Sequence, residues 1–265
     1  MKLPSSYCIP CGVIVAAAAL FVAAMPAAEP ESSATSGKEL ANRMSAARQG
    51  NALIRAKLEM RAADGSKQVL QLQIKERRTP TSTDLLYQVQ WPKERKGEVV
   101  ILHQDSGGAP RGTVIAPPAS TRALEASQMD GGLFGSDLSY QDAIENFFAW
   151  KDQAIAGSEV VDGVECQILE SKPGKSGISI YAKVRSWVDS KRLVPLRIEK
   201  YSAAGQVLRR IDTTYVARDQ HDRFIPGRLT VRNPSKNSIT EFDGARIEQG
   251  IQFTDSDFAP ETVSK

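Results

Sequence analysis

Between Ile54 and Arg61 apolar and charged residues alternate without a break, Ile54-Arg55-Ala56-Lys57-Leu58-Glu59-Met60-Arg61. Only an extended strand with one dry face and one wet face sorts such a pattern. Asp64-Gly65 follows as a strong hairpin signal. On the return, Leu70, Leu72 and Ile74 share one parity while Gln71, Gln73 and Lys75 share the other, and Leu85, Tyr87, Val89 and Trp91 make a third apolar row before Pro92. Further strands are expected at residues 98–103, 112–116, 160–170, 178–189, 194–201, 207–216, 227–232 and 239–242. The separators Gly107-Gly108, Asp162-Gly163, Pro173-Gly174, Asp189-Ser190, Ala204-Gly205 and Asn233-Pro234 have turn chemistry. About ten successive strands imply a mainly β fold, a large curled antiparallel sheet whose apolar face needs a cover.

Two segments can supply that cover. Ser36 and Glu39 have capping-box spacing and open a helix through Leu40, Met44 and Ala47 that stops before Gly50. A second helix is expected over Tyr140 to Trp150, N-capped by Ser139, with Asp142 and Glu145 near its start and Ile144, Phe147, Phe148 and Ala149 as its apolar content. Two short helices leave part of the sheet bare, so an apolar cleft is expected there.

The chain starts with Lys2, an apolar stretch from Gly12 to Met25 and then Pro26-Ala27-Ala28-Glu29. That layout is read as a signal peptide over residues 1–28, because the stretch is shorter than the roughly 20 residues a spanning helix needs. Residues 29–265 are read as a single domain. Cys8 and Cys11 fall in the leader, leaving Cys166 and no intrachain disulfide. A net charge of +3 is too slight to imply a nucleic-acid partner.

Catalytic chemistry has little to stand on. His103 ends a strand and His221 lies in a turn, and Asp219, His221 and Asp222 are weakly spaced as metal ligands. Cys166 shares strand parity with Val164 and Ile168 and reads as core. Asp137 and Asp142 fit loop bonding and helix capping better than paired-acid catalysis. The basic pairs Lys191-Arg192 and Arg209-Arg210 read as solvated. No catalytic residue, metal or cofactor is expected.

The run from Gly132 to Asp142, GLFGSDLSYQD, carries a resemblance. It is similar to the Gly-Ser-Asp-Phe-Ser-Tyr-Glu-Asp run of the outer-membrane lipoprotein-sorting protein family, the LolA- and LolB-like periplasmic carriers, departing from it at Leu138 and Gln141. Trp187-Val188-Asp189, Pro195-Leu196-Arg197, the stretch from Tyr201 to Arg209 and Phe258-Ala259-Pro260 fit the same family. The resemblance implies a half-open antiparallel β-barrel around short helices, located in the periplasm. It implies a non-enzymatic carrier or chaperone for lipid or lipoprotein acyl chains, with a membrane exporter or an outer-membrane acceptor as partner. An interaction or sensor module beside an exporter is the alternative.

The residues expected to line the cavity are Leu58, Met60, Leu70, Leu72, Ile74, Leu85, Tyr87, Val89, Trp91, Phe134, Phe147 and Phe148. Gly135, Ser136, Asp137, Ser139, Tyr140 and Asp142 form the family-motif loop. Upstream, Gly107-Gly108-Ala109-Pro110 and Ala116-Pro117-Pro118-Ala119 depart from the aromatic strand and basic segment of relatives.

Overall fold

The computed structural model describes residues 36–118, 120–174 and 178–263, so the expected signal peptide lies outside the described residues. Among the described residues, thirteen antiparallel strands form one sheet. The first six are β1 (Gly50–Arg61), β2 (Lys67–Arg78), β3 (Ser82–Trp91), β4 (Val99–Asp105), β5 (Arg111–Ala116) and β6 (Ser120–Leu124). The other seven are β7 (Asp152–Val161), β8 (Val164–Lys172), β9 (Lys183–Asp189), β10 (Val194–Tyr201), β11 (Val207–Arg218), β12 (Phe224–Asn233) and β13 (Ser238–Gln249). Their order in space is β6-β5-β4-β3-β2-β1-β13-β12-β11-β10-β9-β8-β7. Each half is a meander of neighbouring strands, and pairing of β1 with β13 joins the halves. β6 and β7 are the two edges, so the antiparallel sheet is not closed, as expected of a half-open fold.

That order explains the cover. The chain leaves β6 at one edge and must reach β7 at the other, and residues 125–151 make the crossing over one face of the sheet. On this inner face, Leu58, Leu70, Leu72, Ile74, Leu85, Tyr87 and Val89 pack against Met129, Leu133, Phe134, Tyr140 and Ile144 of the crossing. The first helix, α1 (Gly37–Ala47), is capped by the Ser36 hydroxyl, which accepts from the Glu39 N–H at 3.1 Å. Its Leu40 and Met44 pack with Phe147, Phe148, Leu169 and Val184 in a second cluster. On the opposite face, Phe253 and Phe258 of the C-terminal segment cover Leu86, Val99 and Ile101.

Several expectations need correction. The segment expected as one strand over 160–170 is a hairpin, because Asp162 and Gly163 both adopt positive φ and turn the chain between β7 and β8. β6 and most of β7 lack the alternation that marks the others, and the strand expected from 178 begins at Lys183. The helix expected over 140–150 ends early. α2 spans Tyr140–Ile144, Glu145 and Asn146 are non-helical, and Phe147–Ala149 form a separate 3-10 turn. Phe and Asn are indifferent helix formers, and the carbonyls freed by the break are taken up by Gln153, whose Nε2 donates to Phe147, Phe148 and Trp150.

Candidate functional site

The site built by this fold is the inner face and the segment crossing it. Gly131 to Asp142 folds as a miniature hairpin: Leu133 N–H donates to the Leu138 carbonyl at 2.7 Å and Tyr140 N–H to that of Gly131 at 3.0 Å. The turn between uses positive φ at Phe134 and Gly135. Phe134 thereby enters the core, and Arg95 lies 5.9 Å from its ring centroid.

The two motif acids fasten this plug. Asp137 accepts from the Ser238 hydroxyl at 2.5 Å and from the Thr240 hydroxyl at 3.0 Å, while its N–H donates to Thr240 Oγ1 at 2.9 Å. Asp142 closes the capping box of α2, accepting from the Ser139 N–H at 2.8 Å while the Ser139 hydroxyl accepts from the Asp142 N–H at 2.9 Å. The same carboxylate meets Lys200 Nζ at 2.7 Å, the Tyr181 hydroxyl at 2.7 Å and Arg209 Nε at 3.5 Å. Burial opposes its ionisation, but the Lys200 ammonium and the converging donors outweigh burial and hold the carboxyl below its ordinary range. Burial, then the Asp142 charge, pushes the Tyr181 phenol up.

The plug is thus held in two ways. The apolar side chains of Met129 to Ile144 pack mainly on the first half of the sheet, and the two acids bond to β10, β11 and β13 of the second half.

Eight of the nine strand residues expected to line a cavity are buried on the inner face. Trp91 is not: it is 50% exposed. β2 and β3 shift register between Gln71 and Leu72, so Val89 faces Leu72 but Trp91 faces Gln71, on the wet side. Phe134 joins the eight, whereas Phe147 and Phe148 pack beside α1. The expected bare cleft is filled by the plug, whose non-helical part covers what two helices could not. Pockets of about 300 Å³ and about 360 Å³ lie at the two ends of the plug, one beside Glu145 and Asn146, the other beside Met60, Gly135 and Asp137.

Lys200, Arg209, Tyr181, Ser238 and Thr240 were not expected here. Arg209, expected to be solvated, is buried and donates to the carbonyls of Leu208 and Asp130. A parity signal exists for both cations, since Lys200 alternates with Ile198 and Arg209 with Ile211. Cys166 is buried among Val161, Trp187 and Leu196 as expected, and its thiol is pushed up by burial and then by Asp189. His103 lies between Asp84 at 2.6 Å and Asp105 at 3.1 Å. Asp219 organises its own turn, accepting from the His221 and Arg223 N–H groups. Among the described residues, no group of three His, Cys, Asp or Glu side chains is placed to hold a metal, and no helix is long and apolar enough to cross a membrane.

Among solved structures, the chain is similar to a DUF1329 family protein from Desulfovibrio piger, at 20% identity over 86% of this chain and 97% of that one, with a TM-score of 0.79. It is similar to an outer membrane lipoprotein-sorting protein domain from Vibrio parahaemolyticus, at 17% identity over 86% and 98%, with a TM-score of 0.78. A LolA superfamily protein from Nitrosomonas europaea matches at 17% identity over 86% and 99%, with a TM-score of 0.68. At such identities the likeness establishes the fold, and it bears out the resemblance carried by the motif run. No curated protein matches the chain. A family model described as an uncharacterized protein matches residues 82–265, more than half of the chain, so the chain belongs to that family and has the fold of the LolA superfamily.

Proposed function

We propose that this protein is a non-enzymatic periplasmic carrier for lipid or lipoprotein acyl chains, which occupy the inner face when the plug withdraws. In this reading residues 1–28 direct export, residues 29–265 form the one carrier domain, and a membrane exporter or outer-membrane acceptor exchanges the cargo. The observation that carries it is the composition of the covered face: aliphatic residues of β1 to β4 meet an irregular segment and not another sheet or a long helix. Magnitudes support exchange. An acyl chain of about 16 carbons gains about 12 kcal/mol on burial at roughly 0.8 kcal/mol per methylene. The large apolar side chains of the plug, at about 2 kcal/mol each, contribute on the order of 10 kcal/mol. The two apolar contributions are of one order, and the bonds of Asp137 and Asp142 add to the side of the plug. The fold of the lipoprotein-sorting domain from Vibrio parahaemolyticus supports the same reading.

The test is uptake of a fluorescent fatty acid by delipidated protein. Saturable uptake is expected, and Ile144→Ala, which weakens the plug by about 2–5 kcal/mol, should tighten it at least about tenfold. Absence of saturable uptake in both proteins would sink the reading. The closed fit of the plug favours a second one, an interaction or sensor module beside an exporter, in which the plug never leaves.

A further inference from the structure

The pocket at the α2 end of the plug has a chemistry of its own. It lies between the β2–β3 turn at Thr79 and Pro80, the β4–β5 turn at Gly107 and Gly108, the end of α1, and the non-helical break after α2. That break places Glu145 and Asn146 on the pocket wall. Glu145 is 1% exposed. Its Oε1 accepts from Gln141 Nε2 at 2.8 Å and the Ser179 hydroxyl lies close to the carboxylate, but its Oε2 is buried without a well-formed hydrogen bond. Asn146 donates from Nδ2 to Ser45 Oγ at 2.9 Å, and its Oδ1 is likewise buried without a partner. Both unsatisfied atoms are acceptors, and the two neighbouring residues that carry them line one pocket, the oxygens lying just beneath its surface.

We propose that this pocket binds a primary ammonium group, which donates N–H bonds to the Glu145 carboxylate and the Asn146 side-chain carbonyl.

Leaving a buried acceptor unmatched costs about 1–3 kcal/mol, more for a carboxylate, and the rest of this plug is closely satisfied. Burial pushes the Glu145 carboxyl up to about 7 despite the pull of Lys200 and the hydrogen bonds of Ser179 and Gln141, and a bound cation would favour its ionised form. Trp150 lines the same pocket and offers an aromatic surface suited to a cation. Asp105 and Lys151, also lining it, offset each other in charge. Among the described residues an anion has no buried cation to meet on this wall, and a quaternary ammonium lacks the N–H groups that the two oxygens require. The amine has two sources, a small free amine or the headgroup of an aminophospholipid. The site stands whether or not the inner face accepts acyl chains.

Calorimetric titration with ethanolamine tests it, followed by competition with dihexanoyl phosphatidylethanolamine and dihexanoyl phosphatidylcholine below their micelle concentrations. Saturable ethanolamine binding is expected, weakened about tenfold or more in Glu145→Gln, a near-isosteric change whose fold is checked by circular dichroism. Displacement by the phosphatidylethanolamine and not by the phosphatidylcholine supports the site and assigns a headgroup. Displacement by neither supports it and assigns a free amine. Displacement by the phosphatidylcholine, absence of ethanolamine binding, or equal binding to folded Glu145→Gln overturns it. Because ethanolamine carries no acyl chain, failure of fatty-acid uptake leaves this result standing, and the reverse holds too.

Discussion

At the scale of single residues, Asp142 performs two tasks with one carboxylate, closing a capping box and neutralising Lys200 and Arg209 inside the protein. Asp142→Asn keeps the shape but leaves two buried cations without their anion, so a loss of about 3–5 kcal/mol is expected from urea unfolding. Adding Lys200→Met should recover much of that loss, since an apolar chain of similar length needs no partner in this place. Glu145 makes the opposite contribution. Its folded value is about 7 against an ordinary 4.5, so the folded protein holds a proton that the unfolded chain has released. Stability from this group is therefore complete below the ordinary value and declines as pH rises through 7, by about 3 kcal/mol. Glu59 is held down at about 2 by hydrogen bonds from Lys67 and Arg61, and Asp257 at about 2 by Lys75, so their contribution is lost as pH falls from the ordinary carboxylate range toward 2. Melting temperature against pH should show both limbs, and Glu145→Gln should remove the decline between about 4.5 and 7 alone. An unchanged decline in that range would mean that another group causes it.

At the scale of elements, the strands were legible because alternation needs only local sequence, and β10 falls where the pattern places it. What alternation cannot carry is a register shift: one extra residue beside Trp91 turns that ring outward although its spacing from Val89 is correct. Nor does it reveal a partner, so Lys200 reads as a flaw in an apolar row until Asp142 is brought beside it by a connection from another part of the chain. The motif loop was legible as architecture, and its glycines show why. A Cβ on Gly132 would lie 2.1 Å from the Ser136 carbonyl oxygen, which belongs to backbone that the Leu133–Leu138 pairing fixes. Gly132→Ala should therefore open the miniature hairpin while leaving the strands paired. Hydrogen exchange is expected to speed up across residues 131–142 and to stay slow in β1 and β2. Uniform loss of protection would instead show that the plug and sheet unfold as one unit.

At the scale of the whole molecule, the filling of the inner face follows from connectivity that no local pattern contains. Only the spatial order of the strands shows that residues 125–151 must travel from one edge of the sheet to the other, and that this path is the cover. Whether the cover moves decides between the two functional readings, and a reversible lock can settle it. Asp137 and Thr240 meet by two hydrogen bonds across the boundary between plug and β13, close enough for paired cysteines to be bridged. Replacing both together leaves no unpaired charge at that position, and Cys166 is buried away from it. In the carrier reading, Asp137→Cys combined with Thr240→Cys should lose fatty-acid uptake when oxidised and regain it when reduced, with the same β-rich spectrum in both states. Uptake unaffected by oxidation, with the bridge confirmed by mass spectrometry, would show that acyl chains bind without plug withdrawal and would remove the central step of the proposed cycle.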